Sequence, residues 1–453
     1  MDIDVTGQLA SYIARSGDTE LPPAVVAKAK HHILDSLTAV IFGSSLKPGR
    51  LAIEFIKSQG GIEEARVAGS SIRTTAINAA LANGIMGHAA EIDDYHSPSL
   101  THAGIAVFPA ALAAAEREGA GGSRLIRGVV AGYDMACRVT HAMGIDSFAR
   151  LGLSSHSVSG TFGAAVAAAS IMGLDEQQVR YTLSYAVQQA SGSLNWIRDE
   201  QHVEKAFAYG GMPARNGVTA AIFAQMGFPA VHDPFVGRPN YLYFFTHDVN
   251  KPKVLIDGLG SRFYIMENVI KKYAVGGPIQ GPLDGLLMLM EKHHFTAKDV
   301  AAMTVSLSDE AMRVVDDSDM PNVNLQYNLA TALCDGKSTY ASTISYERMN
   351  DPVIVALRKR IRVVHEPAFD ELRKRRYAVL EVSLKDGVQW CEQIKAIRGS
   401  AANPMNTVEV EAKAAQYIGA VLGEDRARTL IEKIRDLEAI GDVRELRDDI
   451  ARG

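Results

Sequence analysis

The stretches "AGIAVFPAALAAAERE" from residue 103, "GTFGAAVAAASIMGL" from 160 and "NGVTAAIFAQMGF" from 216 limit the fold more than any other feature of this 453-residue chain. Each has the length and apolar content of a helix, and each carries Ala, Gly or Ser on every face instead of a polar stripe. Side chains that small let helix axes approach closely, so these segments predict buried helices in a crowded bundle. Ahead of them, "PPAVVAKAKHHILDSLTAVIFGSS" from residue 22 reads as an amphipathic helix. It has prolines at its start, Val26, Ile33, Leu37 and Val40 or Ile41 at three-to-four spacing, and Gly43 at its close.

After about residue 265 the pattern changes. "MTVSLS" at 303–308 and "YAVLEVSLKDGVQW" at 377–390 alternate with a period of two, the second around a Lys-Asp-Gly turn, and so predict strands. Between them "YNLATALCDG" and "DPVIVALRKRIRVV" read as helical, which makes the region α+β. From about 405, "MNTVEVEAKAAQYIGAVLGEDRARTLIEKIRDLEAI" returns to helical spacing and is expected to pack back onto the first domain. The predicted fold is mainly α: a large all-helical domain over residues 1–266 and 399–453, with a smaller inserted α+β lid domain over 267–398.

Composition narrows the function classes. The 47 basic and 52 acidic residues are spread along the chain and leave a net charge of only -5, so there is no electrostatic footprint for nucleic acid. Small molecules, or a second copy of the chain, are the expected partners. Cys137, Cys334 and Cys391 are too few and too far apart for a disulfide framework or a CxxC knuckle, which fits a reducing cytoplasm. No stretch reaches the roughly 18 uncharged apolar residues of a membrane span. The start "MDIDVTGQLASYIARSGD" lacks the basic and apolar regions of a signal peptide, so a cytoplasmic location is expected.

Four polar blocks interrupt the apolar helices. "GHAAEIDDYH" at 87–96 continues through "SPSLTHAG" and gathers His88, Glu91, Asp93, Asp94, His96, Thr101 and His102. His and Asp are metal ligands, but HExxH, HxH and a facial-triad motif are all missing, so no metal is expected. The plainer reading is that Asp93 or Asp94 caps the next turn and the histidines are satisfied groups. "SSHSVSGTFGAA" sets Ser154, Ser155, His156 and Ser157 before a glycine-rich helix start, where amides either attract an anion or are simply capped. It holds no GxSxG elbow and no GxGxxG fingerprint. "VEKAFAYGGMPARNGVTAA" places Lys205, Arg215 and Asn216 where cations hold carboxylates or merely face solvent. "NVIKKYAVGGPIQGPLDG" brings Lys271, Lys272 and Tyr273 to a Gly-Gly-Pro turn at the change of pattern, where a hinge or cleft would sit.

Taken in order with a fifth block, "NLQYNLATALCDG" at 324–336, these segments resemble the MmgE/PrpD family, whose members include dehydratases, decarboxylases and epimerases of carboxylic acids. The resemblance spans nearly the whole chain. It implies a large helical domain with a smaller lid, a homodimer, an active site in the cleft between the domains, and no metal or organic cofactor. Asp93 and His102 match the family's acidic block and its trailing histidine, Lys205 the lysine of the third block, Lys271 that of the fourth and Tyr327 the tyrosine of the fifth. Two positions depart from the family pattern. Many members carry a histidine six residues before the glycine of the second block, where this chain has Ser154 with His156 nearby. Several place a histidine or arginine after the lysine-aromatic pair of the fourth, where this chain has the neutral run "AVGGPIQG".

The chemistry expected is proton abstraction next to a carboxylate of a small di- or tricarboxylic acid. It needs a positioned base, and positive charge or hydrogen-bond donors where enolate charge develops. His102 is the leading general acid/base, and Asp93 orients and charges it or a neighbouring group. Lys205 and Lys271 bind carboxylates and stabilise the enolate-like state, and His156 or Tyr327 serves as the second proton donor. Lys272, Arg215, Ser154 and Thr101 complete the candidate substrate-binding set. Loss of hydroxide gives a dehydratase, loss of carbon dioxide a decarboxylase, and reprotonation on the opposite face an epimerase. A cofactor-free lyase is the reading preferred; an epimerase or isomerase of an imino- or substituted succinate is the alternative. A non-catalytic binding protein or a metal-dependent hydrolase is the third.

Overall fold

The alanine- and glycine-rich segments form the interior helices of the structure, a computed structural model that describes residues 4–237, 239–248, 251–371 and 374–452. The helix Ser155–Met172 is buried at every position from Ser157 to Ile171. It starts five residues ahead of the "GTFGAA" run because the Ser154 hydroxyl accepts the Ser157 N–H at 3.3 Å and caps it there. The helices Gly104–Glu118, Gly122–Met143 and Met212–Gln225 pack around it. How closely they approach is fixed at Gly132 and Gly163: a Cβ on either would lie 2.8 Å from the other's carbonyl oxygen, so any side chain there would force the two helices apart.

The chain divides into two compact units, residues 1–268 with 406–453, and residues 269–405. In the first unit, the long helix Pro23–Ser44 begins with proline at its first position and buries His32 and Asp35 among its apolar side chains. The C-terminal helix Thr407–Leu422 lies along it, with the Tyr417 and Phe42 rings edge to face at 4.8 Å. Asn406 and Glu409 close a capping box at its start.

The second unit carries a four-stranded sheet in the order Ile361–His365, Val300–Leu307, Ala378–Leu384, Gln389–Ile394. The first pair runs parallel, with Val305 opposite Val363, and the others antiparallel, with Met303 opposite Val382 and Val382 opposite Trp390. The segment "RIRVV" departs from the helical reading. The helix Pro352–Arg358 ends there and Ile361–His365 becomes a strand, because its β-branched side chains pack better on a sheet than on a helical turn. The structure is thus mainly α with a small sheet-bearing region. Among the described residues, no helix is long and apolar enough to cross a membrane.

Candidate active site

Between the helices Ala76–His88 and Gly104–Glu118 the chain makes a loop that is tied across twice. His96 and Thr101 bridge through their backbones, at 2.8 and 3.3 Å, and the Asp94 carboxylate accepts the Gly104 N–H at 3.1 Å. Glu91, Asp93 and His102 are held on this loop, and Glu91 and Asp93 are almost fully buried. Glu91 sits at φ 56°, in the left-handed region that a glutamate seldom enters, so the surroundings must hold it there.

Against the loop runs a helical rod in three parts, Val203–Ala206, the wider π turn Phe207–Gly211, and Met212–Gln225. Gly210 in the π turn meets Gly84 of Ala76–His88 backbone to backbone, and a Cβ on either glycine would overlap the carbonyl of the other. This close approach delivers Tyr209 and Lys205 to His88. The Tyr209 ring stacks on His88 at 4.3 Å and on His156 at 4.0 Å, both nearly parallel, and Lys205 Nζ lies 5.4 Å from its centroid.

One carboxylate organises two imidazoles. Asp93 Oδ2 lies 2.6 Å from His102 Nδ1, and Oδ1 and Oδ2 lie 3.0 and 3.1 Å from His88 Nδ1. An ionised carboxylate only accepts hydrogen bonds, so both Nδ1 atoms carry hydrogen and proton exchange at His102 falls to Nε2. On the other side of His88, its buried Nε2 is 3.5 Å from Glu91 Oε1, which is ion-paired to Lys205. His202 Nε2 donates to the His88 carbonyl at 2.9 Å.

Burial and the Lys205 charge push the His202 pKa down to about 3, leaving that ring neutral. His156 keeps a partly exposed edge, yet the protein packed around it desolvates the ring. Together with the charges of His102, His88 and Lys205, this holds its pKa well below the usual histidine value. Its Nδ1 is buried with no hydrogen-bond partner among the described residues. His156 is therefore a neutral hydrogen-bonding group 5.0 Å, centroid to centroid, from His102.

Two overlapping donor sets could hold a metal ion: His88, Asp93 and His102, and His88, Glu91 and His202, with the ligand atoms of each set within 4.8 Å of one another. The residue types suit zinc or iron. The charges suit it less, because the Lys205 ammonium already occupies Glu91 and Asp93 already takes two N–H groups.

The N-terminal domain of the MmgE/PrpD family matches residues 7–252, and its C-terminal domain matches residues 273–439. The chain belongs to the MmgE/PrpD family. It is 25% identical to a cis-aconitate decarboxylase-like protein of Aspergillus oryzae, over 98% of this chain and 96% of the relative. It is 22% identical to the cis-aconitate decarboxylase of Aspergillus terreus, over 98% and 95%, and 23% identical to that of Homo sapiens, over 93% and 89%. At family level this is lyase-type chemistry, and these relatives are named for decarboxylation.

Of the residues expected to carry function in this MmgE/PrpD chain, the structure gathers Asp93, His102, His156 and Lys205 into one cluster. Ser154 is absent from it: its hydroxyl is the helix cap, and His156 in the first turn supplies the imidazole instead. Thr101 turns to Ser99 Oγ at 2.9 Å and Cys137 Sγ at 3.7 Å, so its hydroxyl belongs to a separate buried group. Arg215 spends its guanidinium on the neighbouring Asn216 side chain, at 3.0 and 3.2 Å. In the second unit Lys271 is fully buried, and Lys272, half exposed, pairs with Asp284 at 2.5 Å. Tyr327, expected as a proton donor, gives its hydroxyl to the backbone carbonyls of Ser342 and Ser345. It anchors the helix Leu325–Asp335 to the segment after it.

His88, Glu91, His202 and Tyr209 had no assigned role in the sequence. Two signals were present: His88 and Glu91 fall within the quoted acidic block, and Tyr209 falls within "EKAFAYGG".

Proposed function

We propose that this chain is a lyase that moves a proton at the carbon beside a carboxylate of a small di- or tricarboxylic acid, without a metal. Decarboxylation of a cis-aconitate-like acid is the first reaction to expect, and dehydration the second. The observation that carries this reading is the His88–Asp93–His102 array. With Nδ1 fixed on Asp93, His102 presents Nε2 as the exchanging nitrogen, and the shared carboxylate stabilises the ring when it is charged.

In decarboxylation the bond to one carboxylate carbon breaks, carbon dioxide leaves, and the electron pair stays on the remaining carbon, spread into the adjacent unsaturated carboxylate. His102 N–H then returns a proton to carbon and is recharged from water. In dehydration the same nitrogen takes the proton from carbon and hands it to the departing hydroxide, which leaves as water. The Lys205 ammonium stabilises the enolate-like state, and neutral His156 offers a hydrogen bond to a substrate oxygen. The few cations in the cluster weigh against a third carboxylate on the substrate, so a dicarboxylate relative of cis-aconitate belongs in the test beside cis-aconitate itself. The names of the relatives support the decarboxylase form.

Purified protein incubated with a panel of di- and tricarboxylates, cis-aconitate among them, in deuterium oxide and followed by proton NMR tests the reading. Loss of carbon dioxide or water with deuterium entering carbon is expected, unchanged after chelation. Activity that disappears on chelation and returns with zinc would replace the metal-free lyase by a metal enzyme. Deuterium entry with inversion and no elimination would make the chain an epimerase.

A further inference from the structure

The helix Thr407–Leu422 carries a lysine into the interior of the first unit. Lys413 is 7% exposed, and its Nζ donates to Asp35 Oδ1 at 2.6 Å and to the backbone carbonyl of Ile92 at 2.6 Å. Ile92 immediately precedes Asp93, so the peptide plane held by this ammonium leads straight into the residue that binds both imidazoles. Asp35 makes little use of its own charge, since Oδ2 has no hydrogen-bond partner among the described residues. A buried carboxylate with a single bond is a poor source of stability. What it does accomplish is to hold the Lys413 amine at the Ile92 carbonyl.

On the far side of Asp93 the next residue is fixed as well, Asp94 taking the Gly104 N–H and the Tyr133 hydroxyl. Asp93 therefore has one clamp before it and one after it, and no polar contact of Lys413 with the imidazole cluster is needed for it to matter there.

We infer that Lys413, paired with Asp35, is a positioning residue for the Asp93–His102 couple, setting the Ile92–Asp93 peptide plane so that the carboxylate meets Nδ1 of both histidines. This rests on the lyase reading only for its rate measurement. A displacement of about 1 Å at a catalytic carboxylate costs up to ~10²-fold in turnover. Lys413→Met should lower kcat roughly 10- to 100-fold while KM changes less than about threefold, because the substrate-touching groups stay in place.

The single variant also leaves Asp35 buried without its ion-pair partner and loses stability for that reason alone. The double variant Asp35→Leu/Lys413→Met removes both charges. It should recover much of the lost Tm and none of the lost kcat. Recovery of kcat together with Tm would overturn the inference and leave Lys413 a purely structural group, as would a folded Lys413→Met with wild-type kcat.

A second readout does not depend on any substrate. In protein labelled with ¹⁵N-histidine, the Nδ1 proton of His102, identified by its loss in His102→Asn, should shift or broaden in both Lys413 variants. If the wild type turns over no polycarboxylate, the lyase reading fails and this signal alone decides: an unshifted proton refutes the clamp.

Discussion

Asp93 and Asp94 are consecutive, yet their carboxylates serve opposite faces of one loop. Asp93 binds His88 and His102, whereas Asp94 takes the Gly104 N–H at 3.1 Å and the Tyr133 hydroxyl at 2.8 Å, with His32 Nδ1 2.6 Å from the same oxygen. The first contact closes the chain from 93 to 102 around the imidazole cluster. The second closes it from 94 to 104 around the support.

That division separates two variants at neighbouring positions. Asp93→Asn should leave Tm within a few degrees of wild type and reduce turnover by roughly 10²-fold or more, since His102 loses the charge that fixes its tautomer. Asp94→Ala strands a backbone N–H, a buried hydroxyl and an imidazole, and should cost about 2–5 kcal/mol in urea unfolding. Equal losses of stability in the two would show that the division is wrong.

His102→Asn should lower turnover by roughly 10²-fold or more with the fold intact. His156 acts without charge, because burial and the adjacent His102, His88 and Lys205 hold its pKa well below the ordinary value. His156→Asn should therefore preserve both limbs of the pH–rate profile and alter the preference among carboxylates instead. Single-turnover deuterium exchange on the two variants checks this: wild-type exchange in His102→Asn would remove it from the role of base.

Gly210→Ala tests the contact that brings Tyr209 to the histidines. The new methyl group meets the Gly84 carbonyl, which is backbone and cannot rotate away. A loss of about 1–3 kcal/mol is expected, with a fall in kcat larger than that of an equally destabilised variant elsewhere. Denaturant titration beside steady-state kinetics reads both.

A separate pair should shape stability against pH. His96 is fully buried, which works against its charge, but Cys137 and the Glu267 carboxylate, 3.5 Å from Nε2, outweigh burial and raise its pKa to about 9. Glu267 is lowered to about 2 by His96 and Arg262 against its own partial burial. Neutral-leaning His141 and Tyr264 face the same group, with Arg138 over the Tyr264 ring.

The folded state thus binds the His96 proton more tightly than the unfolded chain. That contribution is whole below the ordinary histidine value and lost as pH rises through about 9. The Glu267 contribution is whole above the ordinary glutamate value and lost as pH falls through about 2. His96→Gln should flatten the alkaline decline in Tm. An alkaline decline as steep in the variant as in wild type would assign it to other groups.

The helices were legible in the sequence because small side chains on every face leave no other way to bury them. The cluster was legible only in part. Asp93, His102 and Lys205 stand in blocks whose order is recognisable, but the part played by Tyr209 depends on a π turn, and one widened turn leaves no mark in a 3.6-residue period. Ser154 and His156 could not be told apart by spacing, because a run of Ser and His offers several residues able to cap, and only the bond from the Ser157 N–H to the Ser154 hydroxyl makes one of them the cap and puts the other in the first turn. Strand Ile361–His365 was hidden behind a helix that ends only two residues before it.

The bond from Lys413 to Ile92 joins residues 321 positions apart. On a ribosome adding roughly 5–20 residues each second, the loop with Asp93 emerges about 16–64 s before the ammonium that steadies it. During that interval Asp35 is a carboxylate in a forming core without its ion-pair partner. If Lys413 positions Asp93 as inferred, the nascent helical unit waits for the helix Thr407–Leu422 before this loop can set, and a chain released before residue 413 would carry the proposed proton-transfer groups without the side chain that aims them.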